Sequence, residues 1–138
     1  IAVIDRYTER FDEALKNITR DESATSTAML ERYVEPFAAF AATPDRVCLC
    51  GALSGEMPAL PRAARERVAF FLKSHKQWLT QILKRGAVRG EFKLAESAAK
   101  IARLFFGALQ GALLIQRTTG DSSQLRDVIS ALKSQLRK

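Results

Sequence analysis

Apolar side chains recur at three- and four-residue intervals along most of the chain. Ile4, Tyr7, Phe11, Leu15 and Ile18 share one side of residues 1–18, while Asp5, Arg6, Glu9, Arg10, Asp12, Glu13 and Lys16 cover the rest. That spacing predicts an amphipathic surface helix. A second helix follows the polar residues 19–23, with Met29, Leu30, Tyr33, Phe37 and Phe40 at helical spacing. Pro36 interrupts it: proline cannot donate to the carbonyl of Arg32 and its ring crowds that turn, so a bend is expected. Thr43 and Pro44 form an N-cap and first-turn pair for a short helix over residues 45–57, which Pro58 and Pro61 end. From residue 62 to about 85 a long helix carries Val68, Phe71, Leu72, His75, Trp78, Leu79 and Ile82 on one side, and Gly86 and Gly90 mark its exit.

Residues 93–117 predict a different kind of helix. Between residues 101 and 115 apolar side chains lie on every side, among them Leu104, Phe105, Phe106, Leu109, Leu113 and Leu114, so this helix has to be covered all round. Residues 104–115 are too few, and Gln110 too polar, for a membrane span. Gly107 and Gly111 clear one face for close approach by another helix. Gly120 closes the element, Asp121 and Gln124 have capping-box spacing, and a last helix shows Leu125, Val128, Ile129, Leu132 and Leu136 on one stripe. Six helices of this size cannot bury a central helix completely and also cover a strongly apolar terminal one. The missing surface is expected from a second copy, with residues 93–117 and 121–137 of two chains forming a four-helix bundle. Leu104, Ala108, Ala112, Ile115, Leu125, Val128, Ile129 and Leu132 are the expected contacts.

Composition agrees with an all-α reading. Alanine (21) and leucine (16) far outnumber valine (6) and isoleucine (7), and glycine and proline are scarce. The 138 residues suffice for one domain. The net charge of +7 points to nucleic acid until its placement is considered. Residues 1–20 are balanced, residues 21–60 are acidic, and the excess lies beyond Pro61. There Arg62, Arg65, Lys73, Lys76, Lys84, Arg85 and Arg89 are spread round helices without aromatic interleaving or a glycine-rich phosphate loop, as on a solvated face. Two cysteines and no leader segment fit a reducing cytoplasm. Ile1 is already in phase with the first apolar stripe, so the sequence is expected to begin partway through a longer polypeptide.

Candidate chemistry is that of binding. Cys48 and Cys50 project about 200° apart round a helix, which disfavours a mutual disulfide; the alternatives are inert core thiols or an oxidant sensor. With His75 the sole histidine, a tetrahedral metal site lacks ligands, and no cofactor is expected. No nucleophile–base–acid set, H-E-x-x-H or phosphate loop supports catalysis. His75 lies one turn from Phe71 and near Trp78, either as a satisfied core histidine or as the polar group that orients a mainly apolar ligand. Gln110 has the same two readings, with pairing across a dimer as a third. Tyr33, Phe37, Met57, Phe71 and Trp78 read as core, part of it lining a cavity near the Pro36 bend. With Cys50, His75, Phe106 and Gln110 they make the candidate ligand-binding set.

Three stretches carry a family resemblance. Residues 48–56 (CLCGALSGE), the long helix from Phe70-Phe71 through Trp78-Leu79 to the exit 86–92 (GAVRGEF), and residues 102–112 (ARLFFGALQGA) with 118–121 (TTGD) resemble the C-terminal regulatory region of TetR/AcrR-family transcriptional regulators. The commoner pattern is departed from at Val47 and Ala52. The resemblance implies a six-helix effector-binding domain with its pocket among the earlier helices, dimerising through its last two long helices. The first reading is therefore a repressor in the cytoplasm, with no membrane, whose aromatic lining points to a small, mainly apolar or aromatic effector. Operator DNA would be reached through a helix-turn-helix before Ile1, since no recognition helix beside a short turn stands out in these 138 residues. The alternative is a stand-alone helical module that docks a partner helix without a small molecule.

Overall fold

The computed structural model describes residues 2–41 and 59–136. Among these residues the regular structure is all helical: α1 (Ala2–Arg20), α2 (Ser26–Ala41), α3 (Arg62–Val88), α4 (Ala98–Thr119) and α5 (Gln124–Ser134). The short helix expected at residues 45–57, with Cys48, Cys50 and Met57, lies outside the described residues. Pro36 lies inside α2, which continues to Ala41. The proline is on the exposed side, where water can satisfy the freed carbonyl. α4 starts at Ala98, later than the expected residue 93, because the Ser97 hydroxyl accepts the backbone N–H of Lys100 at 3.3 Å.

α3 packs along α4, with α1 and α2 against α3 and α5 against both α4 and α2. Val68, Phe71, Leu79 and Leu83 of α3 meet Ala102, Phe105 and Leu109 of α4 in one continuous core with Ile4, Leu15 and Ile18 of α1. Each such side chain removed from water contributes roughly 1.5–3 kcal/mol. Gln116, buried in α4, accepts the N–H of Leu125 at 3.1 Å and so caps the start of α5. The expected capping box does not form. Asp121 Oδ1 instead accepts the Ser123 N–H and hydroxyl at 2.9 and 2.6 Å, which lowers its pKa, chiefly through the hydroxyl. Gly120 closes α4 at φ 74°, as its position predicts.

The exit of α3 locks onto the start of α2. Gly86 is in the last turn of α3, and a Cβ there would overlap the ring of Phe92, which folds back over it and is buried. Gly90, at φ 73°, lets the chain reverse. Glu91 then presents its two carboxylate oxygens to the Ser26 N–H at 2.8 and 3.1 Å, satisfying a first-turn donor of α2 from 65 positions away. Arg85 adds a second clasp, donating to the carbonyls of Glu22 and Ala24 at 3.1 and 2.8 Å and to the Ser26 hydroxyl at 3.2 Å. The glycine-glutamate-phenylalanine exit therefore has a structural role in joining two helices.

Candidate functional site

His75 stands at the meeting point of α1, α2, α3 and α4. Helical spacing along α3 puts it one turn beyond Phe71, and the two rings lie 4.4 Å apart. Phe106 of α4 stacks on it at 5.0 Å, Phe11 of α1 approaches to 5.3 Å, and the Tyr33 hydroxyl of α2 is 2.8 Å from its Nδ1. Tyr33 in turn stacks on Trp78 at 5.2 Å and meets Phe37 at 5.6 Å. His75 is 1% exposed, and burial pushes its pKa down to about 4. It is therefore neutral near pH 7, with one ring nitrogen carrying a hydrogen and the other a lone pair.

Tyr33, Phe37, Phe71, His75, Trp78 and Phe106 of the expected set come together here, with Gln110 one turn beyond Phe106. Cys50 and Met57 lie outside the described residues. Three nitrogens around the cluster are buried without a hydrogen-bond partner among the described residues: His75 Nε2, Trp78 Nε1 and Gln110 Nε2. A buried polar group left unmade costs about 1–3 kcal/mol. Together they can offer directed polar contacts to a flat, largely apolar molecule. Sequence reasoning missed Tyr7 and Phe11. Their rings touch Phe71 at 5.6 and 5.5 Å, which brings α1 into the site. Their four-residue spacing was visible, but spacing cannot say what an apolar stripe faces.

A separate cavity of about 480 Å³ opens between α2, α4 and α5. Leu30 and Val34 form one wall, Ile129, Leu132 and Leu136 the other, and Phe92 and Phe105 complete the apolar surface. Among the described residues of the expected ligand-binding set, none lines it. Phe105 and Phe106, adjacent in α4, divide between the two places, the first at the cavity and the second on His75.

Residues 26–132 match the family model described as the tetracyclin repressor-like C-terminal domain. The chain belongs to this TetR family. No curated protein matches it. Among solved structures it is similar to a TetR-family transcriptional regulator from Agrobacterium tumefaciens, with a TM-score of 0.92, 22% identity, and 99% of this chain and 72% of that one covered. It is also similar to a TetR regulator from Legionella pneumophila (0.86, 20%, covering 99% and 71%). A regulatory protein TetR from Rhodobacter sphaeroides matches too (0.84, 23%, covering 98% and 72%). At such identities the likeness is one of fold.

Within this TetR fold α4 has two faces. Ala98, Ile101, Ala102, Phe105, Phe106, Leu109, Ala112 and Leu113 are buried. On the other side Leu104 and Ile115 are each 48% exposed, Leu114 is exposed, Ala108 is half-buried, and Cβ positions built on Gly107 and Gly111 meet nothing within 4 Å. One protomer thus covers one side of this helix and leaves the other side open. Ala112, Leu125 and Leu132 are 2%, 1% and 5% exposed inside the protomer's own core, and Val128 and Ile129 are half-buried against it, because α5 turns its whole apolar stripe inward. Leu104, Ala108 and Ile115 remain as an outward apolar strip. By length and composition the 22 residues of α4 are enough to cross a bilayer, so the expectation that this region is too short does not hold for the full helix. Its buried face packs against α3 and α5 as a core helix does. Among the described residues no group of three or more His, Cys, Asp or Glu side chains could hold a metal ion.

Proposed function

We propose that this domain is the effector-binding and dimerisation part of a transcriptional repressor, with a small apolar or aromatic effector bound around His75. The observation that carries this reading is the set of three buried nitrogens, on His75, Trp78 and Gln110 around an aromatic cluster, that have no hydrogen-bond partner among the described residues. An aromatic ligand with one or two polar atoms would restore their hydrogen bonds while replacing ring contacts with similar ones. Two copies pair through the outward strip of α4, which carries Leu104, Ala108, Gly111 and Ile115 on one helical face. Operator DNA is contacted by a helix-turn-helix outside residues 1–138; the TetR-family chains matched are longer, this chain spanning 71–72% of them.

The route from ligand to DNA is α1. Tyr7 and Phe11 rest on Phe71, Phe11 also touches His75, and the Asp5 carboxylate accepts from Arg67 Nε at 2.8 Å, so α1 follows changes in α3. Tight binding alone is not enough. The effector has to prefer one placement of α1, at a coupling of ~1–3 kcal/mol, to change operator affinity. The test is titration of aromatic compounds against the fluorescence of Trp78, the chain's single tryptophan. A compound that shifts Trp78 emission in the wild type and fails in His75→Phe supports the site. Equal binding to the two proteins removes it.

A further inference from the structure

We propose that the cavity between α2 and α5 is a second ligand site, built for an amphipathic organic cation, that is, an apolar tail ending in one positively charged nitrogen. This goes beyond the His75 reading and does not depend on it. Its volume of about 480 Å³ falls among small-molecule sites, which span ~300–1,000 Å³. Leu30, Val34, Ile129 and Phe105 supply an apolar lining, and among the described residues no side chain fills the space between them. The charge of its rim selects the head group. Three ionisable side chains border the cavity, Glu31, Glu91 and Lys133, two negative against one positive.

These charges are not equivalent. Glu91 is held in place, both oxygens taken up by the Ser26 N–H. Glu31 is free to exchange partners. Its ion pair with Lys133 spans from α2 to α5 at 3.6 Å, and both side chains are more than half exposed. Exposed pairs of this kind contribute ~0–1 kcal/mol, so a ligand ammonium can take the place of Lys133 at Glu31 while the lysine swings into water. A carboxylate in the same position would lie beside two like charges, with one flexible lysine to offset them. Occupancy would press on α2 next to the Glu91–Ser26 clasp and on Phe105, whose neighbour Phe106 stacks on His75. The second site therefore shares α2 and α4 with the first and, among the described residues, no lining residue.

The test compares three probes with one tail, octylammonium, octanol and octanoate, by calorimetry and by methyl NMR of the full chain. Octylammonium is expected to bind about tenfold tighter than octanoate, the ratio one charge-assisted contact supplies, and to shift the Val34 and Ile129 methyls while leaving Trp78 emission unchanged. Glu31→Gln should lose that preference and keep octanol binding. Lys133→Ala should strengthen octylammonium binding by freeing Glu31, whereas a site built for an anion would lose binding. Both substitutions are at exposed positions, so the fold is retained. Octanoate equal to or tighter than octylammonium, indifference to Glu31→Gln, weakening by Lys133→Ala, shifts centred on Trp78, or no binding of any probe would each overturn the proposal. None of these results bears on whether aromatic compounds need His75.

Discussion

Two adjacent residues of α4 look into opposite kinds of interior. Phe106 enters a region where, among the described residues, eight rings from four helices lie within 6 Å of a partner and where what is lacking is hydrogen bonds. Phe105 borders a region where no orphaned nitrogen is found among the described residues and what is lacking is side-chain volume. The first can discriminate ligands by where their polar atoms fall, because an unmet buried donor is costly. The second can discriminate by tail size and head charge, because apolar filling is undirected and its charges are at the rim. One helix thus separates the proposed polarity-selective place from the proposed charge-selective one.

The largest effect should come from emptying the packed side. Phe71→Ala removes a fully buried ring that touches Tyr7, Phe11 and His75 and should cost about 3–5 kcal/mol in urea unfolding. Phe105→Ala, beside space already empty, should fall at or below the low end of that range; equal losses would mean that the cavity collapses in solution.

Next comes pH. His75 has its pKa lowered to about 4 by burial, against 6.5 for an exposed histidine. Below pH 6.5 the unfolded chain takes up a proton that the folded chain refuses, so stability falls as pH drops from 6.5 to about 4 and then levels for this group. The total is roughly 3 kcal/mol at one unit per 1.4 kcal/mol. His75→Gln should flatten this part of the stability–pH curve. An unchanged slope would place the titration elsewhere.

Small-to-large substitutions sharpen the contrast further. Val68→Leu, at a position with no exposure, should destabilise by about 1–3 kcal/mol, whereas Val34→Leu grows into the cavity and should be neutral or stabilising by up to about 1 kcal/mol. If both destabilise alike, the two interiors are equally full. The smallest effect on helix content is expected on the outer face of α4: Ile115→Lys should leave the circular dichroism spectrum unchanged while sedimentation velocity shows self-association weakened.

Much of the fold was legible because helical periodicity is a local signal. The α1 stripe, the long α3 and the closure at Gly120 appear where spacing and turn chemistry put them. Most of the aromatic site was legible too, since Phe71, His75 and Trp78 share one face of a single helix. The cavity was not. Its walls come from four separate segments, and empty space leaves no mark on the residues around it. The caps on α2 and α5 were also hidden, because Glu91 and Gln116 act across turns that must fold first.

By itself the sequence determined that the chain is helical, which side of each helix is apolar, and which glycines stop or bend it, since these depend on neighbours three or four residues away. Tertiary structure decided which apolar side meets which. α5 spends its whole stripe on its own protomer and α4 leaves Leu104 and Ile115 outward, because burial depends on where other helices lie and not on the composition of the one being buried.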